Sequence, residues 1–329
     1  MSSVTLENDL LRVTVSPDVG GTIRQITHKE SGLSVLGRVP WKTVDRPLAS
    51  LAAIDEPEWL TRYTGGWPLL FPNGGDACTV DGVFHGFHGE ASIAPWDATC
   101  EGATLRLVRR FVTVPAEMER RISLDGDVLA VHERLRMLGD RPVDVMWGHH
   151  PTFGSDLLDG DIEITAGSPR VTVEERYDPD TNPLLAGATG AWPHVMGKCG
   201  MADLAHPAGK VASLVYLHDF VSHWVAIRRM DDAIAIALSW NGARFPCAWL
   251  WHELEGNQTE PWNGCTRLIG IEPNTARSAM GLADARQRGS GLLRMEPGQS
   301  YDAEVRLRAF KPSDSITERH LADRTSRHV

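Results

Sequence analysis

The chain has 329 residues and a formal net charge of −10 at neutral pH, with 42% hydrophobic and 23% charged residues. This composition is typical of a globular protein and argues against a nucleic-acid partner, because a phosphate-binding surface needs clustered Lys and Arg. No apolar run approaches the roughly 18 residues that span a bilayer, so the sequence also argues against a membrane partner.

The N-terminal segment and the cysteines both favour a cytoplasmic location. The first residues, MSSVTLENDLLRVTV, lack the charged and apolar regions of a signal peptide. Five cysteines stand at 78, 100, 199, 247 and 265, without a CxxC pair. An odd number without paired spacing indicates reduced thiols rather than a disulfide framework.

Segments that alternate between apolar and polar residues recur along the chain and predict β-strands. In chain order they are LLRVTVS (10–16), TLRLVRRFVTV (104–114), DVLAVHERLRM (127–137), DIEIT (161–165), RVTVEE (170–175), AIAIALSW (233–240) and YDAEVRLRAF (301–310). Clusters of Gly, Pro, Asp and Asn between them predict turns. DEPEWLTRY (55–63) predicts a short helix, with Asp55 as its cap and Pro57 in its first turn.

These elements predict an all-β fold. Strands and helices do not alternate, which disfavours a parallel sheet, and no internal repeat suggests a propeller. Alternation that buries one face and wets the other is typical of antiparallel sheets. We therefore expect one large antiparallel β-sandwich with few short helices over residues 1–310, followed by a polar C-terminal tail over 311–329.

Two residues in unusual surroundings precede prolines, which restricts their backbones to extended geometry. His150 precedes Pro151 in WGHHPTFG (147–154), and Glu272 precedes Pro273 in LIGIEPNTA (268–276). A fixed imidazole and a fixed carboxylate are what general acid–base catalysis requires. The alternatives are a buried histidine bonded to backbone, and a strand-end carboxylate that caps a turn or pairs with Arg277.

Four motifs, taken in order, resemble those of the aldose 1-epimerase, or galactose mutarotase, family. They are WPLLFPN (67–73), HGF (85–87), HHPTF (149–153) and IEPNT (271–275). The resemblance implies a galactose mutarotase-like supersandwich, in agreement with the strand pattern. It also implies interconversion of the α and β anomers of a free aldose, with a monosaccharide as substrate and neither metal nor cofactor.

The resemblance also implies catalytic roles for three residues. Glu272 is expected to take the proton of the anomeric hydroxyl, and His150 to protonate the ring oxygen. His85 is expected to hold or polarise that oxygen. His149 is expected to point to the opposite face from His150 and to be structural, since neighbours on an extended segment alternate.

Six further residues are candidates for substrate binding. Two of them stand where relatives have arginine: Asp76, in the segment NGGD (73–76), and His88, which follows the HGF motif. Asp219 resembles a family aspartate that binds a distal hydroxyl. The remaining candidates are a polar side chain of the NGGD segment and two aromatic rings suited to the apolar face of a sugar: Asn73, Trp67 and Trp251. For each tryptophan, the alternative is a place in the core.

Three other functions compete with this interpretation. A metal site would use the H-x-x-H-x-E of residues 85–90 with His149 and His150, although the spacing does not suit two ligands from one strand. A non-catalytic sugar-binding protein would keep the cleft alone. A mutarotase for an acidic or phosphorylated sugar would need converging cations, for which Arg62, Arg244 and Arg267 are near the motifs in sequence.

Overall fold

A computed structural model of the chain describes residues 3–44 and 54–312. Residues 313–329, nearly all of the expected tail, lie outside the described residues. Two α-helices are present in the described part, Glu56–Leu60 (α1) and Gly281–Arg288 (α2), with short 3-10 helices at Glu90–Ser92 and Ser155–Leu158. Neither helix is long and apolar enough to cross a bilayer, and no other helix is described.

The rest of the regular secondary structure in the described residues is β-strand. The first half contains Val4–Glu7 (β1), Leu11–Ser16 (β2), Thr22–His28 (β3), Leu33–Ser34 (β4), Leu69–Leu70 (β5), Cys78–Val80 (β6), Val83–His85 (β7), Asp97–Glu101 (β8), Thr104–Arg110 (β9), Ala116–Asp125 (β10), Val128–Met137 (β11), Val143–Val145 (β12), Gly148–His149 (β13) and Thr152–Phe153 (β14). The second half contains Ile162–Ala166 (β15), Arg170–Val173 (β16), Thr189–Ala191 (β17), His194–Gly197 (β18), Gly200–Asp203 (β19), Val211–His218 (β20), Trp224–Arg229 (β21), Ala235–Trp240 (β22), Cys247–Leu254 (β23), Arg267–Asn274 (β24), Leu293–Met295 (β25) and Ser300–Phe310 (β26).

Two eight-stranded sheets form the body of the protein. The first has the order β15-β21-β22-β26-β11-β10-β9-β8, and we call it the outer sheet. The second, the site sheet, has the order β17-β16-β20-β23-β24-β13-β5, with β14 also paired to β24. A four-stranded sheet of β1 to β4 and three two-stranded ribbons complete the fold.

The hydrophobic core lies between the two large sheets. Val131 of β11 and Leu307 of β26 belong to the same buried cluster as Leu250 of β23 and Ile271 of β24. The neighbouring strands pair antiparallel, as β10 with β11 and β23 with β24. The expectation of a large antiparallel β-sandwich with few short helices is therefore confirmed.

The predicted strands match the observed ones, with one difference that has a clear cause. The segment 104–114 was expected to be strand throughout, but β9 ends at Arg110. Beyond it, the carboxylate of Glu90 accepts hydrogen bonds from the backbone N–H groups of Val112 and Thr113 at 2.9 and 3.0 Å. Those N–H groups are therefore not available to a strand partner.

The predicted helix is also shorter in the structure than the segment 55–63 predicts. It ends at Leu60 rather than at residue 63. Its start is as expected, since the Asp55 side chain accepts a hydrogen bond from Glu58 N–H at 3.0 Å, as a cap does. Helix α2 was not predicted from the sequence, and it ends at Gly289, whose φ of +62° is the left-handed conformation that suits glycine.

A buried ion pair lies between the sheets. Arg120 of β10 contacts Glu133 of β11 at 2.7 Å, and both side chains are 0% exposed. Trp147 donates its indole N–H to the same carboxylate at 2.9 Å. Burial alone would raise the pKa of Glu133, but nearby His149 and Arg120 lower it to about 2. The carboxylate is therefore ionised in the folded protein at neutral pH.

We predict that Glu133→Gln lowers the free energy of unfolding by about 3 kcal/mol, because it leaves the Arg120 cation buried without a counter-charge. Urea denaturation measures this directly. Glu117→Gln is the matched control: Glu117, in the neighbouring strand β10, pairs with Arg136 on the surface, and loss of its charge should cost less than about 1 kcal/mol. Equal losses for the two variants would contradict the prediction.

Candidate functional site

The floor of the candidate site is the face of the site sheet that points away from the core. Trp249 pairs with Glu272 across β23 and β24, and Trp251 pairs with Gly270. Side chains alternate along a strand, so the residues between them, such as Leu250 and Ile271, point into the core while these four point outward. Trp249 and Glu272 are nonetheless buried, because loops cover this face too.

Gly270 makes room for the carboxylate of Glu272. The two residues are neighbours on the same face of β24, and a Cβ at position 270 would lie 2.5 Å from Glu272 Oε1. No ordinary contact is that short, so a side chain at 270 would shift the carboxylate. The glycine thus permits the position that the acid group occupies.

His150 faces Glu272 across the floor. Its Nε2 lies 3.7 Å from Glu272 Oε1, and both side chains are almost fully buried. The backbone N–H of His150 donates to Pro68 C=O at 3.0 Å, which ties the pre-proline residue to the strand-like segment of β5. His150 Nδ1 and Glu272 Oε2 have no hydrogen-bond partner among the described residues.

Burial controls the protonation of this pair. It raises the pKa of Glu272 well above its ordinary value and lowers the pKa of His150 to about 4. Both shifts have the same cause, since a low-dielectric surrounding disfavours the charged form of either group. Burial therefore favours the uncharged arrangement of the pair, with a proton on Glu272 and a neutral imidazole at His150.

His149 points the other way, into the core, as the alternation predicts. Trp67 donates its indole N–H to His149 Nδ1 at 3.1 Å, and His149 Nε2 lies 3.3 Å from Glu133. The two adjacent histidines of the motif therefore occupy opposite faces of the segment. Trp67, a sequence candidate for stacking on a sugar, is fully buried in this contact.

His88 lies beside His150. Its backbone has a φ of +57°, rare for a residue with a side chain, and its ring centroid is 5.1 Å from that of His150. His88 Nδ1 accepts a hydrogen bond from Gly75 N–H at 2.9 Å. The ring proton is therefore on Nε2. Burial lowers the pKa of His88 well below its ordinary value, so the ring is a neutral donor.

These groups line a cavity of about 290 Å³ above the site sheet. Helix α1 and the loops at residues 75–76, 87–88, 176–177 and 257–262 form its walls. Five of the sequence candidates line it: Glu272, His150, His88, Asp76 and Trp251. The structure thus brings the carboxylate, two imidazoles and an aromatic ring to one cavity.

The other four candidates lie outside the lining. Trp67 and Asn73 are buried below it. Asn73 donates to the backbone C=O groups of Asp76 and Gly86 and accepts from Leu282 N–H, so it joins three segments. Asp219 is exposed and contacts Arg170 and His218.

His85 is the fourth of these, and the resemblance gave it a catalytic role. Its backbone pairs with Cys78 in the ribbon of β6 and β7, and its buried ring does not line the cavity. Between it and His88 the chain turns, through Gly86 and the left-handed His88. That turn brings His88, rather than His85, to the cavity.

Several lining residues were missed from the sequence. Trp59 lies on the buried side of α1 and Tyr63 lies just beyond its end; neither was assigned to the site from the sequence. Tyr177 accepts the indole N–H of Trp251 at 3.1 Å and fixes that ring, while the neighbouring Arg176 pairs with Asp284. Nothing in the segment RYDPD distinguishes these two from an ordinary loop.

The described residues contain no group of three or more His, Cys, Asp or Glu arranged to hold a metal ion. His85 and His88, which the metal hypothesis would combine, are separated by the turn just described. The geometry of these residues does not support the H-x-x-H-x-E segment as a metal centre.

Comparison with known proteins gives matches by structure alone. No family model matches the sequence, and no curated protein matches it. Two similar structures are each described as a "putative aldose 1-epimerase". The one from Klebsiella pneumoniae has a TM-score of 0.70 and 16% identity over 93% of this chain and 78% of that one. The one from Escherichia coli K12 has a TM-score of 0.67 and 17% identity over 94% and 99%.

A third similar structure is a galactose mutarotase related enzyme from Lactobacillus acidophilus. Its TM-score is 0.62, with 17% identity over 96% of this chain and all of that one. At these identities the likeness concerns the fold. The chain thus has the fold of the aldose 1-epimerase and galactose mutarotase-like proteins that its four motifs resemble.

Proposed function

We propose that the protein interconverts the α and β anomers of a free aldose by acid–base ring opening and closure. The observation that carries the proposal is the Glu272–His150 pair, 3.7 Å apart on the floor of the cavity. Each member has a buried polar atom without a hydrogen-bond partner in the part of the chain that the structure describes, Glu272 Oε2 and His150 Nδ1. The shared fold with mutarotase-like proteins supports the same reaction class.

The pair has the proton inventory that mutarotation requires. Ring opening removes the proton of O1, forms the C1=O1 double bond, breaks the C1–O5 bond and delivers a proton to O5. Rotation about C1–C2 and the reverse steps give the other anomer. One donor and one acceptor are needed, and a pair that shares a single proton supplies both.

The resting pair must shift its proton to act in the roles that the resemblance implies. Glu272 is the base and His150 the acid only after the carboxyl group has lost its proton and the imidazole has gained one; at 3.7 Å the two groups do not hydrogen-bond directly. The two arrangements contain the same number of protons and differ in where the proton lies. A bound sugar, whose hydroxyl donates to the carboxylate, favours the ionised form of Glu272 by hydrogen bonding to it.

We assign the polarising of the ring oxygen to His88 rather than to His85. Its Nε2–H is a donor held in one tautomer by Gly75, and the ring lies beside His150 in the cavity. A neutral donor assists the developing hydroxyl without competing for its proton.

The cavity favours an uncharged sugar over the acidic or phosphorylated one that was the alternative. Arg176 is the single lysine or arginine among the described lining residues, it pairs with Asp284, and it faces Glu56 and Asp76. In the segment where relatives carry arginine, this chain has Gly74, Gly75 and Asp76, so no cation comes from it.

Anomer exchange measured by NMR tests the proposal. D-Glucose and D-galactose are compared with their 6-phosphates and uronic acids, each against its own uncatalysed rate. We expect acceleration with the neutral sugars and a weaker effect with the anionic ones. Folded protein that accelerates none of them contradicts the proposed reaction, whereas faster exchange of the phosphates contradicts the assignment of the sugar.

We predict that Glu272→Gln and His150→Asn each lower the exchange rate by about 10²-fold or more, because a positioned acid or base contributes that much. Glu253→Gln is the matched control. Glu253 is buried on the same sheet, does not line the cavity, and accepts two backbone N–H groups with one oxygen, which an amide oxygen can also do. A fall in the control equal to that of Glu272→Gln would show a general loss of structure.

We predict that His88→Phe lowers the exchange rate by about tenfold, as the loss of one donor to developing charge would, while His85→Phe has a much smaller effect. In the unsubstituted protein, ¹⁵N spectra should show His88 with a proton on Nε2 and none on Nδ1 across the neutral range. A protonated Nδ1 in His88, or a larger effect at His85, would reverse this assignment.

We predict a bell-shaped dependence of kcat/KM on pH. On the acid side the rate should fall as pH drops through about 4, where His150 gains a proton and the pair loses its acceptor. On the alkaline side it should fall once pH exceeds the raised pKa of Glu272, because the pair then loses its only proton. A rate that falls through the ordinary pKa of histidine would show that His150 is not buried in the way described.

A further inference from the structure

The segment that presents His150 is fixed from its opposite face. Trp147 and His149 both point into the core, and both contact one carboxylate oxygen of Glu133, at 2.9 and 3.3 Å. Since side chains alternate, His150 points outward into the cavity. The Glu133 carboxylate therefore contacts Trp147 and His149, the two inward-pointing residues just before His150.

Glu133 belongs to the other sheet. It is in β11 of the outer sheet, where Arg120 of β10 contacts its second oxygen at 2.7 Å. His149 is in β13 of the site sheet. The contact between Glu133 and His149 therefore links the two sheets. Arg120 pairs with Glu133 in the outer sheet, and His149 adjoins His150 on the side of the site sheet.

The orientation of the His149 ring is defined by two different partners. Trp67 N–H donates to Nδ1, so the ring proton is on Nε2, the atom that lies toward Glu133. The Phe245 ring packs edge-on against both Trp147 and His149. A ring with an acceptor on one side and a donor on the other cannot flip without losing both contacts.

We infer that His149 and Glu133 are positioning residues for His150, an inference that rests on the proposed function only for its kinetic readout. They touch no substrate. They set the height and direction of the His150 imidazole over Glu272, since the backbone on both sides is hydrogen-bonded: Trp147 N–H donates to Thr275 Oγ1 at 3.1 Å and His150 N–H donates to Pro68 C=O at 3.0 Å.

The test compares two substitutions of similar volume at one position. His149→Leu removes both polar contacts, whereas His149→Gln retains an acceptor for Trp67 and a donor for Glu133. We expect His149→Leu to lower kcat by about 10²-fold with KM little changed, because an ångström of misplacement has that effect. His149→Gln should recover most of the rate.

A stability control separates positioning from loss of fold. Val131→Ala removes buried methyl groups from β11, two residues from Glu133, without touching the polar contacts. All variants are assayed at a temperature where each is folded. The inference fails if Val131→Ala lowers kcat as much as His149→Leu does.

An NMR titration of His150 gives a readout that needs no activity. In the unsubstituted protein and in Val131→Ala, burial should keep the pKa of His150 near 4. In His149→Leu it should move up toward the ordinary value, as the freed imidazole reaches solvent. An unchanged titration in His149→Leu contradicts positioning, even if no sugar proves to be a substrate.

Discussion

The structure depends on a sheet that is buried on both faces. One face of β23 and β24 packs Leu250 and Ile271 against the outer sheet, and the other carries Trp249 and Glu272 beneath loops. The inner face provides the apolar burial that stabilises the fold, and the other face, covered by loops, forms the floor of a cavity with polar groups in its lining.

Burial determines the chemistry of the floor. An isolated ionised group is costly to bury, so burial raises the pKa of Glu272 and lowers that of His150. The pKa of Glu133 moves the other way, because the Arg120 cation contacts its carboxylate and Trp147 donates to it. The pKa values of two buried carboxylates in one molecule thus shift in opposite directions because one has a counter-charge and the other faces a cavity.

Much of the fold can be predicted from the sequence because most strands have one solvent-exposed face. β11 and β26 alternate clearly and were predicted to within a residue or two of their observed bounds. β20 and β23 lack this signal: their burial patterns are almost continuous, since both of their faces are covered. Alternation cannot reveal a strand that has no exposed side.

The site was predictable only where the backbone is simple. His150 and Glu272 lie before prolines in extended segments, and both line the cavity as expected. For the pair His85 and His88 the outcome depends on a left-handed turn, which sequence spacing does not specify. Arg176 and Tyr177 come from a loop whose path is set by the Trp251 and Asp284 contacts, which are distant in sequence.

Because of Gly270, the position of the Glu272 carboxylate and the shape of the cavity walls depend on different residues. The cavity walls come from loops and from the tryptophans of β23, but the place of the acid group depends on a missing side chain in β24. A methyl group added at residue 270 would meet the end of the Glu272 side chain and shift it. The position of the carboxylate therefore depends on a residue that forms no part of the cavity walls.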